Sequence, residues 1–286
     1  MITSLRSTMS QQAWQAFLVG QLYAHKGEGH LDYFQINKIL KEAPFFNQLE
    51  NRIGHLFSDR SLLVSSLLHR SFVNEFSTAK STLESNERLE FLGDAILGAI
   101  ITSLLVERYP KLAEGELSLL RSALVNEESW GMLAKFLNLD YLVIVSRGEQ
   151  QAGGYKKDSI LANTFEALFG AIFLDSNYEQ TKRIFCDLLA QYDRATGHQF
   201  LAASKRESAN VKGKVQEYFL KEHLALPEYR FVLLENNQYQ ADLYVGDKLL
   251  ASASDSSKKK AAKAAAEIAF LQIKKLENQE ILHVNN

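Results

Sequence analysis

The chain has 286 residues, 46% of them hydrophobic and 23% charged, with 3 Pro, 15 Gly and a formal net charge of −2. This composition excludes collagen-like and wholly disordered classes and leaves room for one or two domains with a sizeable core. Cys186 is the only cysteine, which excludes an internal disulfide framework and a cysteine-based zinc site.

The longest nearly apolar run, Ala95–Val106, contains Thr102 and Ser103 and is shorter than the ~20 residues a bilayer span needs. The early stretch Ala13–Ala24 lacks a strong basic region before it and is broken by Gln15 and Gln21, unlike a signal peptide. The expectation is a soluble, cytoplasmic protein with no membrane segment. The small net charge hides a division. From Lys205 to Leu276 there are 13 Lys+Arg against 9 Asp+Glu, so the excess of acid lies in the remainder. A basic segment beside an acidic one suggests a nucleic-acid-binding module joined to different chemistry.

In chain order, residues 1–48 read as an N-terminal helical extension, with apolar spacing at Trp14, Phe17, Leu18 and Leu22 and a break at Pro44. Residues 49–195 read as almost entirely helical, interrupted by a glycine-rich loop over Arg147–Tyr155. Residues 196–209 are small and polar, suited to a linker. Beyond them the pattern predicts a helix over Val211–His223, strands over Tyr229–Glu235, Tyr239–Val245 and Leu249–Ser254, and an Ala- and Lys-rich helix over Ser257–Leu276. Residues 210–276 thus form a small α+β domain of order α-β-β-β-α, followed by a frayed tail, 277–286.

The most informative stretch is Asn86-Glu-Arg-Leu-Glu-Phe-Leu-Gly-Asp94 and its continuation. At ~100° per residue, Glu87, Glu90 and Asp94 project from one sector of a helix, with Leu89, Leu92 and Ile96 opposite. Three acids at this spacing also describe a solvated surface, but like charges at i,i+3 and i,i+4 repel unless a cation compensates. Phe91 falls inside the acidic sector, where an aromatic ring calls for a partner pocket. In Leu161–Asp175, Asn163 and Glu166 share a face, flanked by the small Ala167 and Gly170, while Phe165, Leu168 and Phe169 point inward. Two helices meeting there would gather Glu90, Asp94, Asn163 and Glu166 into a cluster of hard oxygen ligands. Such a cluster suits Mg²⁺ and in-line hydrolysis of a phosphate ester.

On these residues the chain resembles the ribonuclease III family, whose hallmark string is matched in full over Asn86–Asp94. Further similar stretches are His69–Glu75, Glu114–Ser118, Leu124–Asn126 and Ser159–Asp175, so the resemblance covers about residues 49–276. It implies an all-α endonuclease domain over 49–195 followed by a double-stranded RNA-binding domain. It also implies that Asp94 and Glu166 are the essential catalytic pair, with Glu90, Asp94, Asn163 and Glu166 holding Mg²⁺, or Mn²⁺ in its place. Glu87 and Glu114 would be further acids of the cleft, and Phe91 would enter a pocket of a second subunit in a homodimer. Each of two sites would cut one strand of duplex RNA, leaving 5′-phosphate and 3′-hydroxyl ends with two-nucleotide 3′ overhangs. The arrangement is similar to the bacterial form, with ribosomal RNA precursors and structured messengers as implied substrates.

Two positions depart from the family pattern. Asn163 stands where the family has Asp and offers a neutral carbonyl oxygen in place of a carboxylate. The alternatives are a working site that needs more metal, a catalytically impaired RNA binder on the same scaffold, and a substitution introduced to trap a complex. Glu235–Tyr239 replaces a Gly-Pro-x-His type turn, leaving Asn237 or Gln238 to meet a 2′-hydroxyl. By resemblance, Gln216 and Glu217 would touch the minor groove, and Lys258, Lys259 and Lys263, at the start of a helix that already favours anions, would meet phosphates. No H-E-x-x-H, G-x-S-x-G or P-loop string occurs, so no nucleotide cofactor is expected.

Overall fold

The computed structural model describes residues 10–24, 31–41, 45–76, 83–202, 211–222 and 224–284, with side chains described as far as residue 274. Pro44 and positions 203–209 of the expected linker lie outside the described residues. The chain divides into two compact units, Met1–Ala202 and Ala203–Asn286.

The first unit is helical. Its helices are α1 (Gln11–Ala24), α2 (Tyr33–Leu40), α3 (Phe46–Ile53), α4 (Arg60–Ser66), α5 (Arg70–Phe76) and α6 (Glu87–Arg108). They continue with α7 (Glu114–Leu124), α8 (Glu127–Phe136), α9 (Leu139–Leu142), α10 (Arg147–Gln151), α11 (Asp158–Asp175) and α12 (Tyr178–Thr196). Helices α1 and α2 do not stand apart from the rest. Trp14, Leu18, Leu22, Ile36 and Leu40 are buried in the same core as Trp130, Phe165 and Phe169. The Trp14 indole donates to the Tyr141 carbonyl at 2.9 Å, and the buried Gln15 amide donates to the carbonyls of Asp140 (2.9 Å) and Val143 (3.2 Å). The first stretch of chain thereby satisfies backbone acceptors that burial would otherwise leave unpaired.

The glycine-rich stretch is more ordered than a loop. Ser146 caps α10 by accepting from the Glu149 amide at 3.2 Å, and Gly153 takes a left-handed φ of 72° before a 3₁₀ turn over Gly154–Lys156. The periodicity of this stretch is too short to separate one helical turn from a loop.

Helix α6 lies across α11, and two glycines set their separation. A Cβ on Gly93 would stand 1.8 Å from the backbone carbonyl oxygen of Glu166, and one on Gly170 would stand 2.2 Å from that of Leu89. The apolar face expected at Leu89, Leu92 and Ile96 is accordingly turned. The buried residues are Leu89, Gly93, Leu97, Ile100, Ile101 and Leu105, with Leu92 and Ile96 half-buried. By length and composition α6 is apolar enough to cross a membrane, yet only a third of its most apolar window is buried. Part of that apolar content packs on α11, and part forms a face that no described residue of this chain covers. Buried Asn86 fixes the start of α6, its amide donating to the Leu68 carbonyl at 2.8 Å and its side chain to the Ser66 carbonyl at 3.3 Å.

The second unit holds α13 (Val211–Lys221), an antiparallel sheet in the order β1 (Pro227–Leu233), β2 (Tyr239–Val245), β3 (Lys248–Asp255), and α14 (Lys258–Val284). The order α-β-β-β-α is the one expected. Pro227 opens β1, and α14 runs on to Val284 through the residues expected to fray. Ala261, Ala262, Ala265, Ala266 and Ala269 line the buried side of α14, so the helix lies close on the sheet.

The glycine crossing has a measurable consequence. Gly93→Ala should destabilise the fold by about 3 kcal/mol or more, because the clash is with backbone that no rotamer can relieve. Gly20→Ala, in an exposed turn of α1 with nothing within 4 Å, should instead stabilise by up to about 1 kcal/mol. Equal effects in denaturant titrations of the two variants would contradict the packing described.

Candidate functional site

The α6–α11 crossing places two carboxylates of one helix against an amide and a carboxylate of the other. Glu90 and Asp94 lie one turn apart on α6, and Asn163 and Glu166 share a face of α11. Glu90, Asn163 and Glu166 are half-buried, whereas Asp94 and Glu87 are exposed. Burial, then the negative charges of Asp94 and Glu90, push the Glu166 carboxyl up to about 8. The Trp130 indole N–H, buried without a hydrogen bond of regular geometry, faces Glu166 closely enough to oppose that rise. Trp130 is held there by stacking on Phe165, with ring centroids 5.6 Å apart.

Glu90 is also raised, first by burial, then by Glu87 and Asp94, against the lowering influence of Arg70 and of the nearby Asn163 side chain. Glu87 is tied to the outer rim by Arg70 at 3.4 Å and by the Ser85 hydroxyl at 2.9 Å. The structure therefore brings Glu90, Asp94, Asn163 and Glu166 together, with Glu87 beside Glu90. Glu114 begins α7, exposed, and accepts from the Ser118 hydroxyl at 2.8 Å; none of the interactions found at Glu90 or Glu166 involves it. Arg70, Asn86 and Trp130 shape this site although the spacing of the acids says nothing of them. Arg70 lies in the stretch His69–Glu75, where only the family resemblance could have drawn notice to it.

Among the described residues no three His, Cys, Asp or Glu side chains are close enough together to enclose a metal ion. The donors are nonetheless hard oxygens crowded without a lysine among them. Two of the carboxyls hold protons more tightly than usual because they are partly buried and face other carboxylates. That chemistry fits a divalent cation of the Mg²⁺ type, which binds through one or two carboxylates and keeps several waters.

Beyond Asp94, the exposed side of α6 carries an open groove lined by Ala95, Gly98, Ala99, Val106 and Arg121. Phe91 is 82% exposed one turn before Ala95.

In the second unit, Val211, Val215 and Phe219 anchor α13, and Gln216 and Glu217 are exposed. The β1–β2 turn is tight. The Leu234 amide donates to the Gln238 carbonyl at 2.8 Å, Asn237 takes a left-handed φ of 61°, and the Gln238 side chain accepts from Asn236 at 3.0 Å. Ser257 caps α14 by accepting from the Lys260 amide at 3.3 Å, and Lys258, Lys259 and Lys263 are exposed in its first turns.

Comparison with known proteins agrees with both units. A family profile described as Ribonuclease-III-like matches residues 59–192, and one described as a double-stranded RNA binding motif matches residues 211–273. A Ribonuclease 3 of Photorhabdus laumondii is 34% identical over 232 residues, covering 79% of this chain and 96% of its own length. That of Bordetella pertussis is 40% identical over 184 residues, covering 64% of this chain and 66% of its own length. The nuclease domain of ribonuclease III from Campylobacter jejuni, whose structure describes flexibility in a region involved in dimer formation, is 40% identical with a TM-score of 0.46, covering 50% of this chain and 95% of that one. With an acid-lined helix crossing in one unit, an α-β-β-β-α fold in the other and a relative matched over nearly its whole length, the chain belongs to the ribonuclease III family.

Proposed function

We propose that this chain is a metal-dependent endoribonuclease that cuts double-stranded RNA as a homodimer. In this reading each subunit cuts one strand, leaving 5′-phosphate and 3′-hydroxyl ends with two-nucleotide 3′ overhangs. Its substrates in the cytoplasm are ribosomal RNA precursors and structured messengers. The observation that carries the reading is the convergence of Glu90, Asp94, Asn163 and Glu166 where α6 crosses α11, in a chain that also contains a double-stranded RNA binding motif.

Glu90, Asp94, Asn163 and Glu166 would hold Mg²⁺, with Mn²⁺ able to substitute. The ion would supply positive charge to the scissile phosphate and to the attacking water. Asp94, the most exposed of the four, faces the incoming phosphate, and Glu166 is held from beneath by Trp130 and the stacked Phe165. The Asn163 amide, beside Glu90, eases the negative charge on that carboxylate while withholding one negative charge from the set. Glu87, paired with Arg70, extends the acidic rim; Glu114 joins it only when a substrate or a second subunit is in place. A second copy of the chain would cover Phe91 and the open groove on α6. Gln216, Glu217, Asn237 and Gln238 would face the minor groove, and Lys258, Lys259 and Lys263 the phosphates. The carboxylate missing at Asn163 is also what favours the second reading, a duplex-RNA binder with impaired catalysis.

Glu166→Gln should abolish cleavage of long duplex RNA while leaving its affinity nearly unchanged in gel-shift titrations; retained cutting would sink the assignment. The raised Glu166 carboxyl gives a further test in the metal-free protein. Its folded-state pKa of about 8 lies above the ordinary value of ~4.3, so the folded state binds a proton that the unfolded chain releases. The stability this contributes is fully present below pH ~4 and is lost as pH rises to about 8. In EDTA the melting temperature of the parent protein should therefore fall relative to Glu166→Gln between about pH 5 and pH 9. Parallel curves would show that Glu166 titrates normally.

A further inference from the structure

The second unit carries aromatic surface that its core leaves open. Phe231 lies on the same face of β1 as Tyr229, opposite Ala241 in the register, yet it is 40% exposed, and Leu233 beyond it is 58% exposed. The Tyr229 and Phe231 rings lie nearly parallel, at 17°, with centroids 6.4 Å apart. Tyr239, which pairs with Leu233 across β1–β2, adds a third ring at the same end of the sheet. Lysines lie over these rings. Lys258 Nζ is 5.9 Å from the centroid of Phe231 and 5.6 Å from that of Tyr239, and Lys212 Nζ is 4.9 Å from that of Tyr229. Lys212 and Lys259 are near enough to repel. None of Lys212, Lys258 and Lys259 makes an ion pair among the described residues.

Lysines alone would serve a phosphate, and an apolar protein segment would not call for three cations around its seat. Exposed rings with ammonium groups over them match one nucleotide, its base taking the place of the ammonium on the ring and its phosphates drawing the lysines aside. Paired bases inside a duplex are already stacked and out of reach, and recognition of duplex shape through 2′-hydroxyls and phosphates needs no aromatic platform. We propose that Phe231, with Tyr239 and Lys258, forms a stacking site for an unpaired nucleotide at the end of a duplex, such as the first residue of a 3′ overhang. The proposal rests on the reading of this unit as a binder of duplex RNA. Lys258 is then shared, its ammonium group leaving the rings for the phosphate of the stacked nucleotide.

The test uses the full chain in EDTA, so that no RNA is cut, and two duplexes of equal length. One is blunt, and the other carries 2-aminopurine as the first nucleotide of a 3′ overhang. The overhang duplex should bind at least about fivefold more tightly than the blunt one, with quenching of the 2-aminopurine fluorescence. Phe231→Leu, which keeps apolar bulk, should remove both the advantage and the quenching while leaving blunt-duplex affinity unchanged, and Phe231→Tyr should retain both. Equal binding of the two duplexes by the parent protein, or an advantage that survives Phe231→Leu, overturns the stacking site while duplex binding stands. Equal loss on both duplexes with Phe231→Leu also overturns it, because the ring then serves only the fold or the general grip. Failure of the parent protein to bind the blunt duplex overturns the underlying reading as well.

Discussion

The backbone contact between α6 and α11 is the constraint on which the first unit depends. At Gly93 and Gly170 each helix admits a carbonyl oxygen of the other into space that any other residue would fill with its Cβ. This closeness makes neighbours of side chains far apart in sequence, Glu90 and Asp94 on one helix and Asn163 and Glu166 on the other. It also sets the electrostatic problem. Carboxylates are crowded into a half-buried place, and Glu166 answers by holding its proton to about pH 8. The apolar residues around the crossing stabilise it while the acids oppose it, and the same geometry that makes the site costly to fold makes it receptive to a divalent cation.

Much of this was legible in the sequence, for a reason that can be stated. Helical spacing alone puts Glu87, Glu90 and Asp94 in one sector and Asn163 beside Glu166, and Gly170 marks a place where another helix can approach. The helical wheel cannot say which neighbour arrives or from what angle. By itself Gly93 reads as one residue of a hallmark string rather than the counterpart of Gly170, and the wheel puts the buried side of α6 too far from Glu90. Asn86, Arg70 and Trp130 act through tertiary contacts with Ser66, Glu87 and Glu166, which no local periodicity encodes. The first forty residues carry a visible helical pattern, but their partners, the carbonyls of Asp140, Tyr141 and Val143, lie more than a hundred residues away.

The second unit was read more completely because its signals are local. Alternation marks its strands, Gly246 with φ 59° fits the tight β2–β3 turn, and the alanines of α14 announce a helix lying close on a sheet. The sequence did not reveal the exposed end of β1. In alternation Phe231 is an ordinary inward-facing residue, and only the structure shows that the core stops short of it. The two units divide the work by charge, with acids crowded at the crossing of α6 and α11 and, at the start of α14, lysines that make no ion pair among the described residues. One favours a cation and the other the phosphates of a nucleic acid.

The most direct test of the account pairs the protein as it stands with its Asn163→Asp form on a 5′-labelled long duplex RNA. Both are titrated with Mg²⁺ and the fragment ends are mapped. If the oxygens gathered at the crossing form a working site, the parent protein cuts to two-nucleotide 3′ overhangs, and the Asp form reaches the same pattern at lower Mg²⁺ because it restores one negative charge. Cleavage by the Asp form alone would contradict the account and make this chain a binder of duplex RNA on a nuclease scaffold.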